Sequence, residues 1–440
     1  MFLSHHIASS YKGHFYRMES EASYESCMAL DTIESDRYGP LRKIIQQLGG
    51  WHVLREFSIL SWDYRRVLEL LHASYGVSPF FKVSVVSDPR EPTHSMIKVS
   101  PAGLGLPGRS YYYRPSDSPA ATSYKRLLRD AVQLLGATSL AAEQFSNEIF
   151  HFEKRIAEIT PDLMELKNPL DFTITTVEEL KSKAPSIPLL EILLAMFPRA
   201  NVGGATEVLL PSEHYLTNVS ILLSTTDRQA LNNYMMWVLA SDYLPYMSEE
   251  IRSTVNYYRK EMTGASEPLQ RWEMCVGTLQ RFMSFGLAAM QQQAMEATKT
   301  IMPGMYLTRD AVRRRIESAK WLPSELKSHE LDKIDVLDLQ VGFTQPLLTK
   351  EFLEHYYSKL LVQKNDFFQN ILYGVEFLKE MQQERLTSSE EEYRWIDAMS
   401  ESRGPTYVPS ANKVVVPLHF LVPPYFSSRL SYVSTCNIIH

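Results

Sequence analysis

The string H-E-L-D-K at residues 329–333 is the closest approach in this chain to a catalytic metal motif. A hydrolase that binds zinc from one helix needs two histidines four residues apart, with a glutamate after the first histidine as general base. Lys333 stands at the position of the second histidine, and an ammonium group cannot coordinate zinc at neutral pH. We therefore interpret this string as a solvated turn of a helix.

No other catalytic constellation is visible in the sequence. There is no G-x-S-x-G string, no Walker loop and no dinucleotide-binding glycine loop. The glycine-rich residues 103–108 precede three tyrosines rather than a helix, so a phosphate site is not expected there. The arginines at 313–315 are followed by Glu317 and are interpreted as a solvated helix face. By themselves, these residues indicate an α-rich binding or scaffold protein.

Composition sets the broad class of the protein. The chain has 440 residues, of which 45% are hydrophobic and 22% charged, as in globular proteins with more than one domain. Its net charge of −6 gives no reason to expect nucleic acid or an anionic membrane as a partner. No apolar run reaches the roughly 18–20 residues of a membrane helix, and the N-terminus lacks the pattern of a signal peptide. We predict no nucleic-acid partner, and neither a membrane segment nor a signal peptide in this chain.

Apolar periodicity predicts a mainly α fold with a small β component. Residues 40–48 predict a helix that a proline opens and two glycines close, and the longest helical pattern spans about 350–386. Alternating residues at 81–85 and 97–99 predict a β-hairpin. Residues 161–211 carry several prolines and predict short helices and loops.

Strand signals return near the C-terminus. They follow Trp395, beyond an acidic segment at 387–392 that we interpret as a domain boundary. The β-branched run at 414–416 ends at Pro417, and proline within sheets is confined to edges because it cannot donate to a ladder. We therefore expect residues 407–426 to form the edge of a sheet beside a cleft.

Eight short strings occur in a fixed order along the chain. They are Y-E-S-C-M at 24–28, L-G-L-P-G-R-S-Y-Y-Y at 104–113, F-E-K-R-I-A at 152–157, L-N-N-Y-M-M-W at 231–237, R-W-E-M-C-V at 271–276, G-F at 342–343, D-F-F-Q-N-I-L at 366–372 and Y-V-P-S-A-N-K-V-V-V-P-L-H-F-L-V-P-P-Y-F at 407–426. This series resembles the neprilysin and endothelin-converting-enzyme family of zinc metallopeptidases, over roughly residues 16–430.

The resemblance implies both a fold and a function. Members of this family have two mainly helical lobes around a cavity that admits only short peptides, which they hydrolyse outside the cell with zinc. We therefore expect a multi-helix lobe with a small β-hairpin, a C-terminal β-edge and an incomplete catalytic lobe. We also expect short peptides as ligands, and an extracellular or plasma-membrane ectodomain location.

The family's zinc motif, H-E-x-x-H, follows soon after the segment that corresponds to residues 407–426. In this comparison His440 falls at or just before the first zinc histidine, and the later ligands have no counterpart. The resemblance thus implies zinc as the family's cofactor, with its ligands absent from this chain and the chain inactive alone. The expected division is a disordered arm at 1–15, a helical peptidase domain at 16–386 and the beginning of a catalytic domain at 387–440.

Four residues correspond to the family's substrate-binding positions. Gly404 and Pro405 stand where the family has asparagine and alanine, which hold the substrate backbone. Glycine has no side-chain amide and proline has no N–H, so this anchor is altered. Phe420 and Tyr425 correspond to the pocket beyond the scissile bond and are still bulky and apolar.

Two covalent features are also expected. Cys27 and Cys275 match two family cysteines that pair with each other, which implies a disulfide; two unrelated buried thiols are the alternative. Asn218 begins an N-x-S sequon and is a predicted glycosylation site, although single sequons often arise by chance.

Three hypotheses about function follow from the sequence. The first is a neprilysin-like metalloendopeptidase of which this chain is an incomplete form. The second is a pseudoenzyme or non-catalytic module that binds peptides or partners. The third is an unrelated helical scaffold, which the ordered strings disfavour. The first two differ in whether an H-E-x-x-H motif belongs to the same protein.

Overall fold

A computed structural model describes residues 15–91, 93–115, 117–162, 166, 172–265, 267–290, 292–342, 349–388, 404–408, 412–417 and 420. Most of these residues are helical, which confirms the predicted fold class. The α-helices are α1 Phe15–Met28, α2 Leu30–Asp36, α3 Gly39–Gln47, α4 Tyr64–Ala73, α5 Pro119–Leu134, α6 Ser139–Ile159, α7 Val177–Lys183, α8 Leu189–Met196, α9 Glu213–Thr225, α10 Arg228–Tyr243, α11 Glu249–Thr263, α12 Arg271–Phe282, α13 Ser284–Met290, α14 Gln292–Ser318, α15 Ser324–Asp335, α16 Lys350–Tyr356 and α17 Phe367–Thr387. Short 3₁₀ helices are His52–Leu54, Arg109–Tyr113, Leu244–Tyr246 and Tyr357–Lys359.

The described strands form two small sheets. They are β1 Phe81–Ser87, β2 Ser95–Pro101, β3 Thr173–Thr176, β4 Glu207–Leu210, β5 Asp338–Val341, β6 Thr406–Val408 and β7 Lys413–Val416. The first sheet has the order β1-β2-β4-β3, and the second has the order β5-β7-β6. Within the described residues, no helix is both long and apolar enough to cross a membrane.

The predicted helix at residues 40–48 is confirmed as α3, with proline in its first turn. Leu41, Ile44 and Ile45 are its buried residues, so one face of the helix joins the main core. The glycines after it have a structural reason. Gly50 has a φ of +82°, and a Cβ at this position would lie 2.0 Å from the carbonyl oxygen of Glu56. Only glycine fits this close approach of two backbone segments.

The predicted hairpin is confirmed as β1 and β2, which pair antiparallel from Phe81 opposite Pro101 to Ser87 opposite Ser95. Sequence reasoning missed the other half of this sheet. Strand β4 pairs parallel with β2, and β3 pairs antiparallel with β4. Both lie in the segment at 161–211, where the predicted short helices are present as α7 and α8 but the two strands were not predicted.

The long helical pattern predicted at about 350–386 is helical in the structure but is interrupted. Helix α16 ends at Tyr356 and α17 begins only at Phe367. Asp366 accounts for the new start, since its side chain accepts a hydrogen bond from the backbone N–H of Gln369. The side chain of Asn370 holds the intervening turn by bonding both the N–H and the carbonyl of Gln363.

The C-terminal strands differ in one respect from the sheet edge that the sequence predicts. Strand β6 is an outer strand, whereas β7 lies in the middle and pairs with β6 on one side and with β5 on the other. Pro417 follows the last residue of β7, so its missing N–H does not interrupt the ladder. Most of the predicted C-terminal domain and residues 1–14 of the arm predicted at 1–15 lie outside the described residues.

Candidate functional site

A cavity of about 1030 Å³ lies between the first sheet and helix α17. The hairpin β1–β2 supplies one wall, and α17, which packs across both strands, supplies the other. Val408, the last residue of β6, also lines the cavity. This volume is at the upper limit of the volumes usual for ligand-binding sites.

Strand alternation determines which side chains form the sheet wall. Phe81, Val83 and Val85 are buried in the core, so the residues between them face the opposite side of the sheet. The register places Lys82 opposite Ser100 and Ser84 opposite Lys98, and all four line the cavity. These four residues give the wall two ammonium groups and two hydroxyls, beside the apolar lining residues Val83, Val85 and Val86 of β1.

One side of α17 forms the other wall of the cavity, so its lining residues recur at helical spacing. Its cavity-lining residues are Val375, Leu378, Lys379, Met381, Gln382, Glu384, Arg385 and Thr387. The Nζ of Lys379 donates a 3.0 Å hydrogen bond to the backbone carbonyl of Ala73, which fixes the ammonium group beside α4. The Oε1 of Gln382 is buried and has no hydrogen-bond partner among the described residues.

His72 lines the same cavity from α4. Its ring stacks on that of Phe81 with the centroids 4.8 Å apart, and its side chain is almost completely buried. Burial disfavours the imidazolium and lowers the pKa of His72 to about 3, so the ring is neutral at physiological pH. Its Nε2 has no hydrogen-bond partner among the described residues. The imidazole is thus suited to bonding a ligand rather than to carrying charge.

The structure places some of the predicted substrate-binding residues together. A Cβ at Gly404 would lie 3.5 Å from the ring of Phe420, an ordinary van der Waals contact. The hydroxyl of Thr406 donates to the carbonyl of Gly404 at 2.9 Å, and Pro405 between them is exposed. Gly404, Pro405 and Phe420 are not among the described lining residues of the cavity, and Tyr425 lies outside the described residues.

The tyrosine-rich string at 104–113 is held by a carboxyl group. Glu153 on α6 is fully buried and accepts hydrogen bonds of 2.7 Å from the hydroxyls of both Tyr112 and Tyr124. Trp237 donates to the Tyr124 hydroxyl at 2.8 Å. Burial raises the pKa of Glu153 to about 7. The hydrogen bonds from the two tyrosines lower the pKa, but their effect is smaller than that of burial. Since the group lies in the core, its role is structural.

Cys27 on α1 and Cys275 on α12 are joined by a disulfide bond in the structure, with their Cα atoms 5.8 Å apart. Both residues are buried in the main core. Nearby, the Nε of Arg271 donates to the carbonyl of Cys27 at 2.8 Å. The disulfide and this hydrogen bond together link α1 to α12.

The H-E-L-D-K string at 329–333 and the predicted glycosylation site lie apart from the cavity. His329 is exposed on α15, a helix with no buried residue. Among the described residues, no three His, Cys, Asp or Glu side chains come close enough to hold a metal ion, so they do not fit a zinc centre. Asn218 is half-buried within α9, and its sequon partner Ser220 accepts a hydrogen bond from the N–H of Ser186. Glycosylation at Asn218 stays a prediction.

Comparison with known proteins identifies the family. The family model described as "Peptidase family M13" matches residues 7–344. The chain belongs to peptidase family M13. Endothelin-converting enzyme 1 of Homo sapiens is 26% identical over 416 residues, covering 93% of this chain and 54% of that protein. Endothelin-converting enzyme-like 1 of Mus musculus is 24% identical over 433 residues, covering 95% and 55%.

Solved structures show the same M13 fold. The zinc metalloprotease Zmp1 of Mycobacterium tuberculosis, in complex with an inhibitor, has a TM-score of 0.79 at 18% identity and covers 98% of this chain and 63% of that one. PepO from Lactobacillus rhamnosis HN001 has a TM-score of 0.78 at 15% identity, covering 98% and 66%. The chain spans about half the length of the endothelin-converting enzymes it matches. The resemblance to the neprilysin and endothelin-converting-enzyme family is thus confirmed.

Sequence reasoning missed the residues that give the cavity its chemistry. Lys82 and Lys98 carry a usable signal, because each occupies the polar position of an alternating strand. Lys379 and Arg385 carry none that we could recognise, since they are ordinary cations of an amphipathic helix. Glu153 stands in the string at 152–157 that supports the resemblance, but its hydrogen bonds to the tyrosines are visible only in the fold.

Proposed function

We propose that this M13-family chain encloses short extracellular peptides in the cavity between the first sheet and α17. The observation that carries the proposal is this cavity, because the predicted substrate-side strand β6 reaches it at Val408. The similarity to endothelin-converting enzyme 1 supports a peptide as the ligand. The disulfide between Cys27 and Cys275 supports an oxidising, extracellular location.

We further propose that the polypeptide of this sequence does not hydrolyse peptides by zinc chemistry. In the 440 residues no two histidines lie four apart, and the nearest string has Lys333 in place of the second histidine. A hydrolase that binds zinc from one helix needs such a pair to hold the metal and a neighbouring glutamate to activate water. In this proposal the chain's own residues bind and orient a peptide, and we assign no bond-breaking step to them.

One observation favours a non-catalytic binding role over a part in a metalloendopeptidase. Pro405 offers no N–H and Gly404 no amide side chain at the positions that precede β6. A peptide that lies along this segment loses two backbone contacts, which weakens the fixed orientation that hydrolysis requires. Binding within the cavity does not depend on this segment, since neither residue is among its described lining residues.

The test uses the purified chain with short fluorogenic peptides, with added zinc and with a chelator. We expect no chelator-sensitive cleavage, while the same peptides labelled for fluorescence anisotropy bind saturably. Zinc-dependent cleavage that a chelator abolishes would refute the proposal of a non-hydrolytic chain. Absence of any peptide binding would refute the proposed cavity function.

A further inference from the structure

Strand β1 lies at one end of the first sheet and borders the cavity along most of its length. In the order β1-β2-β4-β3 it pairs with β2 on one side, and no strand in the described part of the chain pairs with its other side. Residues 82–87 of β1 all line the cavity, six in succession. The described lining residues of β2 are Lys98 and Ser100, which are two apart and so share one face of the sheet. A strand that turned only one face to the cavity would contribute alternate residues, as β2 does.

The unbroken series in β1 indicates that the backbone of this strand faces the cavity. Val83 and Val85 bury their side chains in the main core, yet both residues line the cavity. The N–H and C=O groups of a strand lie close to the plane of the sheet, whereas the side chains stand roughly perpendicular to it. The backbone of these two residues is therefore the part that reaches the cavity.

Hydrogen bonds at the two ends of the hairpin show which residues of β1 bond to β2. In an antiparallel pair, residues that exchange hydrogen bonds with their partners alternate with residues that do not. The N–H of Ala102 donates to the carbonyl of Phe80 at 3.1 Å. The N–H of Asp88 donates to the carbonyl of His94 at 2.9 Å. Both pairs continue the register of the hairpin beyond its ends, so the even-numbered residues of β1 are the ones that bond to β2.

Val83, Val85 and Ser87 hold the alternate positions, so their N–H and C=O groups point away from β2. We call these groups the outer edge of β1. They form no hydrogen bond with another residue in the described part of the chain. The free backbone groups of an edge strand are a template for pairing with another chain. The outer edge of β1 is such a template, and it lies within the cavity.

We propose that a peptide binds in the cavity as an added strand along the outer edge of β1, with Val83, Val85 and Ser87 as its backbone partners. This inference rests on the proposed function and gives its binding mode and ligand class. In strand addition, main-chain hydrogen bonds supply the affinity. An added strand that reaches from Val83 to Ser87 needs about five residues, at about 3.3 Å each. The ligand class is therefore an extended peptide of at least about five residues, with free N–H groups at alternate positions.

Single N-methylation along a labelled peptide tests this mode with the wild-type protein, by fluorescence anisotropy. Each methyl group replaces one backbone N–H and leaves the side chains unchanged. An added strand directs every second N–H toward β1 and the N–H groups between them to the opposite side. We expect methylation at every second residue of the bound segment to weaken binding roughly tenfold, and methylation at the residues between to change it by less than about twofold.

Two variants of Ser87 assign the effect to β1. Ser87 is half-buried at the end of the strand, and its N–H points to the outer edge, so proline at this position leaves the ladder with β2 intact. Ser87→Pro removes this N–H, whereas Ser87→Ala keeps it and is the matched control. We expect Ser87→Pro to bind the unmethylated peptide roughly threefold or more weakly than Ser87→Ala, which should bind as the wild type does. Circular dichroism and urea unfolding verify that both variants are folded.

The outcomes separate this inference from the proposed function. Losses that alternate along the peptide, together with weaker binding to Ser87→Pro, are the expected result. A methylation series without alternation, or folded Ser87→Pro that binds as tightly as Ser87→Ala, would overturn strand addition at β1 while leaving peptide binding established. If Ser87→Pro does not fold, the methylation series with the wild type decides alone. No binding of the unmethylated peptide to the wild type would overturn both proposals.

Discussion

The buried carboxyl of Glu153 should make the stability of this protein depend on pH in a defined direction. In the fold its pKa is raised from 4.5 to about 7, because burial penalises the carboxylate. The folded state thus binds this proton more tightly than the unfolded state. The contribution to stability is fully present below about pH 4.5 and is lost as the pH rises through about 7.

The size of the effect follows from the rise in pKa. A rise from 4.5 to about 7 corresponds to a loss of about 3 kcal/mol in the free energy of unfolding between acid and neutral pH. Glu153→Gln removes the titration but keeps a side chain of the same shape. One tyrosine hydroxyl then loses its acceptor, which costs about 1–3 kcal/mol at every pH.

Urea unfolding of the wild type and Glu153→Gln across pH 4 to 8 measures the difference directly. We expect the advantage of the wild type over the variant to shrink by about 3 kcal/mol across this range. Glu158→Gln is the control, because Glu158 is exposed on the same helix and should leave the curve unchanged. Parallel curves for the wild type and Glu153→Gln would refute the reasoning.

Two further predictions concern packing and the disulfide. Replacing Cys27 and Cys275 by serine should destabilise the protein by up to about 5 kcal/mol in the chain-entropy model, because the disulfide closes a loop of 248 residues. Peptide mapping of the unreduced protein tests the bond, and free thiols at both positions would contradict it. Gly105→Ala should lower the melting temperature through a cost of about 1–3 kcal/mol, because its Cβ would lie 1.8 Å from the hydroxyl of Tyr124. Gly277 is the control, because it is exposed within α12 and a Cβ there would have nothing within 4 Å. Gly277→Ala should stabilise the protein by about 1 kcal/mol. An equal loss of stability in both variants would contradict the packing argument.

Local patterns in the sequence predict local structure here, and long-range pairing accounts for what they miss. The hairpin at 81–101 and helix α3 follow from alternation, a proline start and a glycine end, which are all properties of neighbouring residues. Strand β4 has only four residues and pairs with β2 more than a hundred residues earlier in the chain. No periodicity can reveal such a strand among prolines.

Long-range contacts also determine which parts of the candidate site the sequence could predict. Resemblance supplied the family and the position of β6, but it did not reveal that the described cavity lies against the first sheet. The cations that line the cavity come from residues near 82 and 98 on the sheet and from residues near 379 and 385 on α17. Only the tertiary fold brings these two parts of the chain together. The altered anchor at Gly404 and Pro405 stays a prediction, which rests on a change of residue type at matched positions.

The proposed function requires that peptides bind within the cavity between the first sheet and α17. Titration of a labelled short peptide with the wild type, Ser84→Trp and Ser253→Trp tests this directly, because Ser84 lines the cavity and Ser253 is exposed on α11. We predict saturable binding to the wild type and to Ser253→Trp, and weaker binding to folded Ser84→Trp, where the indole occupies part of the cavity. Unchanged binding to Ser84→Trp would contradict the central claim.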